Sequence, residues 1–458
     1  MSFAEIVHKQ RNFFLTGHTK DINFRFKQLK TLKKVIIEYE QAIFQAVKQD
    51  LHKSFEETFL TETVLILKEI EYAIKNLKAW TKPKPATVPF QLLPASAKIH
   101  PEPLGVVLII GPWNYPIQLI IAPLIGAIAA GNCAILKPSE LAPHTSHIIK
   151  EIIVKSFDPA YIAVVEGGVE ASQQLLAEKF DHIFFTGGIS VGKIIMEAAA
   201  TQLTPITLEL GGKSPCIVDS NINTEYAARR ITWGKFINSG QSCIAPDYLL
   251  VNKNIKESLL LAIKKCIQEF YGNNPASSPN YGRLISQKHF ERLVKLLNHG
   301  HILMGGETNS SEYYIAPTVI DNVSFADPVM QEEIFGPILP VIEYTDITEA
   351  ITLINSRPKP LALYLFSNDK NLQQRVCLET SSGALGINNT MMHSGISSLP
   401  FGGVGDSGIG SYHGKAGFDT FTHYKSVFYK PFLLDFKFLY PPYEGKLSWL
   451  KRLLTPNS

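Results

Sequence analysis

Leu29, Leu32, Ile36, Tyr39, Ile43 and Val47 recur at steps of three and four residues, the spacing that puts apolar side chains on one face of a helix. The pattern predicts helices across residues 20–80, ending at Lys82-Pro83-Lys84-Pro85, where proline removes the amide donors a helix needs. From 104 to about 210 the pattern changes. Short apolar runs, GVVLII, CAILKP, AVVEGG, HIFFTGG and ITLELGG, alternate with helical stretches, which predicts a doubly wound parallel sheet. A second α/β unit follows over 211–410. Residues 86–103 and 411–430 fall outside both units, and 431–458 form a separate tail. There is no internal repeat and no low-complexity segment.

Two stretches raise the question of a membrane. From Pro103 to Leu136 there is no charged residue, which is long enough for a span. Gly111-Pro112, Pro116 and Pro123 interrupt it, and Asn114, Gln118 and Asn132 would be stranded in lipid. The run therefore reads as two buried parallel strands, Leu104 to Ile110 and Cys133 to Leu136, flanking a buried helix. The tail places Leu447, Leu450, Leu453 and Leu454 on one helical face, with Lys446, Lys451 and Arg452 elsewhere. It is too short to span a bilayer. Its alternatives are packing on its own subunit and peripheral membrane contact through 445–454.

Composition narrows the class. With 458 residues and 45% hydrophobic content the chain exceeds the size of a single core, so two main domains are expected. A net charge of +3, from 44 basic and 41 acidic residues, gives no field for nucleic acid. Cys133, Cys216, Cys243, Cys266 and Cys377 are odd in number and never form a Cys-x-x-Cys pair, which argues against a disulfide framework or a zinc site and for a reducing cytoplasm. The N-terminus reaches charged residues at once and does not read as a signal peptide. His144, His147, His182, His393 and His413 show no metal spacing, so no metal is expected.

The chemistry centres on the run Phe236-Ile-Asn-Ser-Gly-Gln-Ser-Cys243, a thiol in a small-residue turn, together with Leu208-Glu209-Leu-Gly-Gly-Lys-Ser. A thiol attacks carbonyl carbon, and a carboxylate within reach activates the water that frees the product. The run Ile183-Phe-Phe-Thr-Gly187-Gly188-Ile-Ser-Val-Gly192-Lys193 ends a strand and opens a helix, so its free N–H groups suit a pyrophosphate. It imitates a nucleotide-binding P-loop, but Ile194 stands where the magnesium-binding Ser or Thr belongs, which disfavours ATP. Nor is it a Gly-x-Gly-x-x-Gly fingerprint.

LELGGKSP at 208–215 and FINSGQSC at 236–243 resemble the two active-site signatures of the aldehyde dehydrogenase superfamily. GPWNYP at 111–116, ILKPSE at 135–140, FTGG…G at 185–192, EEIFGP at 332–337 and LPFGGVGDSGIG at 399–410 match further family motifs in order. The PASAKIHPEPLGVV run at 94–107 and YPPY at 440–443 resemble the class three branch, which includes fatty-aldehyde dehydrogenases.

The resemblance implies an α/β fold with a Rossmann-type cofactor domain (1–85 and 104–210), an α/β catalytic domain (211–410) and a small β oligomerisation arm (86–103 and 411–430) that pairs across a homodimer. It implies Cys243 as nucleophile, Asn114 and the Cys243 backbone N–H as oxyanion donors, and Glu209 as the base that releases the acid. It assigns Lys137 and Glu140 to the adenosine ribose and Gly187, Gly188 and Gly192 to the phosphate turn. Glu333 and Phe335 fall to the nicotinamide ribose and ring, and Trp113 to the cofactor site. A carboxylate beside the ribose repels a 2′-phosphate, which favours NAD, with NADP as the alternative. The expected activity is NAD(P)-dependent oxidation of apolar aldehydes, medium or long aliphatic, aromatic or isoprenoid, with the tail guarding the substrate mouth. Two other readings are weighed. Acyl transfer to coenzyme A is opposed by Glu209 at the water-activating position, and an inert binding role by the presence of Cys243, Glu209, Asn114 and Lys137.

Overall fold

The computed structural model describes residues 2–454. Met1 and residues 455–458, like the side chains of Leu453 and Leu454 in the expected tail face, lie outside the described residues. The amphipathic N-terminal pattern forms helices Ile22–Glu38, Glu40–Leu51 and Val64–Trp80. Leu29, Leu32, Ile36, Ile43 and Val47 are fully buried, and Tyr39 is the joint between the first two helices.

A six-stranded sheet follows in the spatial order 408–409, 206–209, 182–186, 106–110, 133–137, 162–164. All its strands run parallel except the first, which lies antiparallel on Ile206–Glu209. The uncharged stretch becomes strands Val106–Ile110 and Cys133–Lys137 around the helix Gln118–Ala130, every residue of which is buried. Its polar residues are satisfied by protein. The Asn132 side chain accepts from the Gly105 amide at 2.8 Å and donates to the Phe421 carbonyl at 2.9 Å. Pro123 departs from the expectation, since it lies inside this helix rather than ending it. Packing on all sides outweighs the one donor that proline removes. No helix among the described residues is long and apolar enough to cross a membrane.

The second sheet has seven strands in the order 301–304, 318–321, 338–344, 248–252, 215–218, 362–366, 384–387. Only the 301–304 edge is antiparallel. The chain then returns to the first sheet. Gly408 pairs with Glu209 and Ile409 with Leu208, and helix Gly414–Thr420 approaches Gln118–Ala130 so closely that a Cβ on Gly126 would sit 2.8 Å from the Gly417 carbonyl oxygen.

A third, three-stranded antiparallel sheet comprises Lys84–Ala86, Ser96–Pro103 and Thr422–Tyr429. The expected arm segment 411–430 is thus divided, its helix on the first sheet and its strand in the third. Strand Thr422–Tyr429 is exposed along nearly its whole length. The tail ends in helix Leu447–Leu454, with Phe432, Leu433 and Leu447 open to solvent.

Candidate active site

Strands Val106–Ile110, His182–Thr186 and Ile206–Glu209 lie side by side, and their C-terminal ends open onto one cavity of about 690 Å³. In an open α/β sheet, ligands bind at these carboxyl ends. Trp113, Asn114, Gly187, Gly188, Glu209, Cys243, Glu333 and Phe335 all line it. Three of the expected residues do not. Lys137 and Glu140 stand at the end of the neighbouring strand, outside the cavity wall. Gly192 is buried one turn into its helix, where a Cβ would meet Leu210 Cδ2 at 2.7 Å, so it lets the helix close on the strand end.

The loop before Cys243 is held in an unusual backbone. Asn238 and Ser239 both have φ near 51° and Gly240 has φ 74°, the left-handed region that side chains disfavour. Polar contacts over-determine it. The Gln241 side chain donates to the Asn238 and Arg283 carbonyls at 3.0 Å and accepts from the Ile285 amide at 3.0 Å. A Cβ on Gly240 would lie 2.3 Å from the Gly336 carbonyl oxygen, so only glycine lets the EEIFGP segment meet this loop. Asn114 is buried, and its Nδ2 donates to the Gln241 carbonyl at 3.1 Å.

Electrostatics single out three groups. Burial raises the Cys243 thiol well above its ordinary value, with smaller upward contributions from Glu333 and Glu209. Glu209 is almost fully buried and neither carboxylate oxygen has a hydrogen-bond partner; burial alone pushes its pKa far up. Glu333 is pushed up to about 8, first by burial and then by Asp247. Perturbed carboxyls and a thiol lining one cavity mark a reactive site. Three buried tyrosines that do not line the cavity, Tyr115, Tyr364 and Tyr412, lie near enough to feel a charge on Cys243. Phe401 meets the Tyr412 ring edge-on at 5.7 Å.

The opposite end suits a dinucleotide. Helix Ile189–Ala200 begins at Gly188, which offers no side-chain cap, so its first amides remain free for an anion. A Cβ on Gly188 would meet nothing within 4 Å, whereas one on Gly211 would lie 2.1 Å from the Glu333 carboxylate. Open space at the helix start and a backbone pressed against a carboxylate fit phosphate at one end and a ribose at the other. Phe335, itself left-handed with φ 49°, meets Trp113 edge-on at 5.3 Å, and His289 lies 5.0 Å from the same indole.

Several of these supports are invisible in the sequence. Lys213 Nζ pairs with Asp247 at 2.5 Å and donates to the Val329 and Glu332 carbonyls, while Asp247 accepts from the Ile334 amide at 3.1 Å. This pair fixes the segment carrying Glu333. Lys235 is fully buried with its amine unpaired by protein, and burial lowers it to about 8. Lys213 and Asp247 act on partners far along the chain, so no local pattern marks what they do, and only Lys213 sits inside a recognisable motif.

A thiol, a desolvated carboxyl and a free helix start on one elongated cavity between two parallel sheets define a dinucleotide-dependent enzyme with a covalent thiol step. The comparisons give the class its family. The model of the Aldehyde dehydrogenase family matches residues 5–427, and the chain belongs to that family. It is 51% identical to 4,4′-diaponeurosporen-aldehyde dehydrogenase of Staphylococcus aureus, covering 97% of each chain. It is 47% identical to Aldehyde dehydrogenase family 3 member A2 of Macaca fascicularis over 98% of this chain and 93% of the relative, which bears out the class three branch. Among solved structures, the substrate-bound state of Staphylococcus aureus AldH superposes with a TM-score of 0.96 at 50% identity, covering 98% and 99%. The protein is an aldehyde dehydrogenase that uses a nicotinamide dinucleotide.

Proposed function

We propose that this enzyme oxidises apolar aldehydes to carboxylic acids through a covalent adduct on Cys243. The observation that carries the proposal is the unpartnered Glu209 carboxyl on the same cavity wall as Cys243. A buried carboxyl without hydrogen bonds costs stability, and its retention fits a group reserved for a proton.

Cys243 Sγ adds to the aldehyde carbonyl, and the oxyanion formed is held by Asn114 Nδ2 and the Cys243 backbone N–H. A bound nicotinamide would supply the hydride acceptor, and Cys243 Sγ would then carry the acyl group as a thioester. Glu209 takes a proton from water, which attacks the thioester carbon and expels the thiolate with the acid. Both Glu209 and Glu333 favour the neutral form when buried, and in that form they oppose ionisation of the thiol less than two carboxylates would. For the cofactor, the free amides after Gly188 would hold the pyrophosphate. Glu333 would hold the nicotinamide ribose, with Trp113 and Phe335 packed near its ring. Lys137 and Glu140 would hold the adenosine ribose: Lys137 is buried and lies 3.3 Å from Glu140, whose carboxylate is half exposed. That carboxylate would repel a 2′-phosphate, which supports NAD over NADP.

Trp113, Leu119, Leu210 and Phe335 on the cavity wall support an apolar substrate, in keeping with the 4,4′-diaponeurosporen-aldehyde named for the Staphylococcus relative. Each methylene buried is worth about 0.8 kcal/mol, roughly fourfold in kcat/KM. Cofactor reduction is therefore expected to grow more efficient from acetaldehyde to decanal, and to be faster with NAD than with NADP. Equal kcat/KM at both chain lengths would sink the apolar reading; faster NADP reduction would sink the cofactor preference.

The exposed strand Thr422–Tyr429 and the apolar tail support a homodimer, since an open strand edge next to Phe428, Tyr429 and Phe432 is a ready template for pairing. Light scattering behind size exclusion should give a mass of two chains. A monomer at micromolar concentration would contradict it.

A further inference from the structure

Two charged side chains from one short segment are buried behind the active site, and a third, Glu57, is half-buried beside them. Lys53 and Glu62 are both fully excluded from solvent and pair at 3.1 Å. Lys53 Nζ also donates to the Asn114 carbonyl at 2.9 Å and lies 4.0 Å from the centre of the Tyr115 ring. The second oxygen of Glu62 accepts from the Ile117 and Gln118 amides at 2.8 and 3.3 Å. Glu57 accepts from the Asn238 amide at 2.9 Å, and the Asn238 side chain donates to the same Asn114 carbonyl at 2.8 Å. Glu62 sits on a π-helical turn, Phe59–Thr63, between helices Phe55–Thr58 and Val64–Trp80. Such wide turns occur frequently at functional sites.

A buried ion pair is a poor stabiliser, because desolvation offsets most of the attraction. This one holds both flanks of a single residue, the carbonyl of Asn114 on one side and the amides of Ile117 and Gln118 on the other. The Asn114 amide nitrogen has two protons; one goes to the Gln241 carbonyl, and the other is left for the cavity that Asn114 lines. A donor that stabilises an oxyanion must be aimed before the charge develops.

The geometry points to Lys53 and Glu62 as positioning residues that aim the Asn114 amide at the oxyanion. The inference rests on the reading of Asn114 as oxyanion donor. Neither side chain lines the cavity, so neither touches substrate; both act through Asn114. Glu57 serves the same end from the other side by fixing Asn238.

A double-mutant cycle on the full-length enzyme tests this. Lys53→Met and Glu62→Gln are made alone and in an Asn114→Ala background, and kcat and KM are measured with decanal and NAD alongside thermal unfolding. In the native background each is expected to lower kcat by about 10²-fold, the loss seen when one oxyanion donor is removed, with KM for NAD little changed. In the Asn114→Ala background the same substitution is expected to cost less than about threefold, because interacting residues are not additive. Equal losses in both backgrounds would overturn the inference, as would unchanged kcat in Lys53→Met. An Asn114→Ala enzyme with native kcat is a different result: it removes the oxyanion reading and the inference with it. Should Lys53→Met not fold, Glu62→Gln keeps the side-chain volume and carries the cycle alone.

Discussion

Replacing Cys243 by Ala is expected to abolish aldehyde oxidation, with kcat falling on the order of 10⁶-fold, as when a covalent nucleophile is deleted. The methyl group cannot add to a carbonyl, and no other cysteine lines the cavity. Cys133, Cys216 and Cys266 are buried in the core and Cys377 lies on the surface. Ester hydrolysis should vanish with it, since both reactions pass through an acyl group on the same sulfur. NAD affinity should persist, because the helix start that would receive the pyrophosphate is untouched. Turnover within tenfold of native, measured by cofactor absorbance, would remove Cys243 from the mechanism.

The second large effect separates the two halves of the reaction. Glu209→Gln keeps the shape but cannot take a proton from water. Acylation should survive and give a burst of about one cofactor reduced per Cys243, after which steady turnover falls by about 10²–10⁴-fold, the worth of a general base. Native deacylation should climb with pH, because burial has raised the Glu209 pKa and only the ionised form is a base. The stability consequence has the opposite sign. A carboxyl with a raised folded pKa contributes stability that is fully present below its unfolded value of about 4.3 and is lost as pH rises through the folded value. Above that window Glu209→Gln should therefore unfold at a higher temperature than native enzyme while turning over more slowly. A variant that shows no burst, or turns over at the native rate, would exclude the assigned role.

Much of this was legible before the structure. The period of three and four gave the N-terminal helices, and the apolar runs gave five of the strands of the first sheet, because both patterns are set by local burial. Gly240 and Gly211 stood only inside their motifs, and what requires glycine there, the Gly336 carbonyl and the Glu333 carboxylate, lies far along the chain. What the chain hides is pairing across distance. Nothing near Lys53 says that it will meet the Asn114 carbonyl 61 residues on, and nothing near Asp247 announces the Ile334 amide. Pro123 misleads in the other direction, since a local breaker is overruled by burial that only the fold supplies. The return of residues 408–420 to the first sheet is equally silent, because a two-residue strand has no period to detect.

That return has a consequence for how the enzyme is made. Glu209 stands on a strand whose outer neighbour, Gly408–Ile409, is synthesised some two hundred residues later, and the Leu210 amide is satisfied by the Ser407 carbonyl at 3.1 Å. While the ribosome is still producing the second sheet, the catalytic strand is an open edge. Glu209 gains this outer neighbour only when the chain is nearly complete, so a product cut short before 408 would carry Asn114, Glu209 and Cys243 and still lack the strand that pairs beside Glu209.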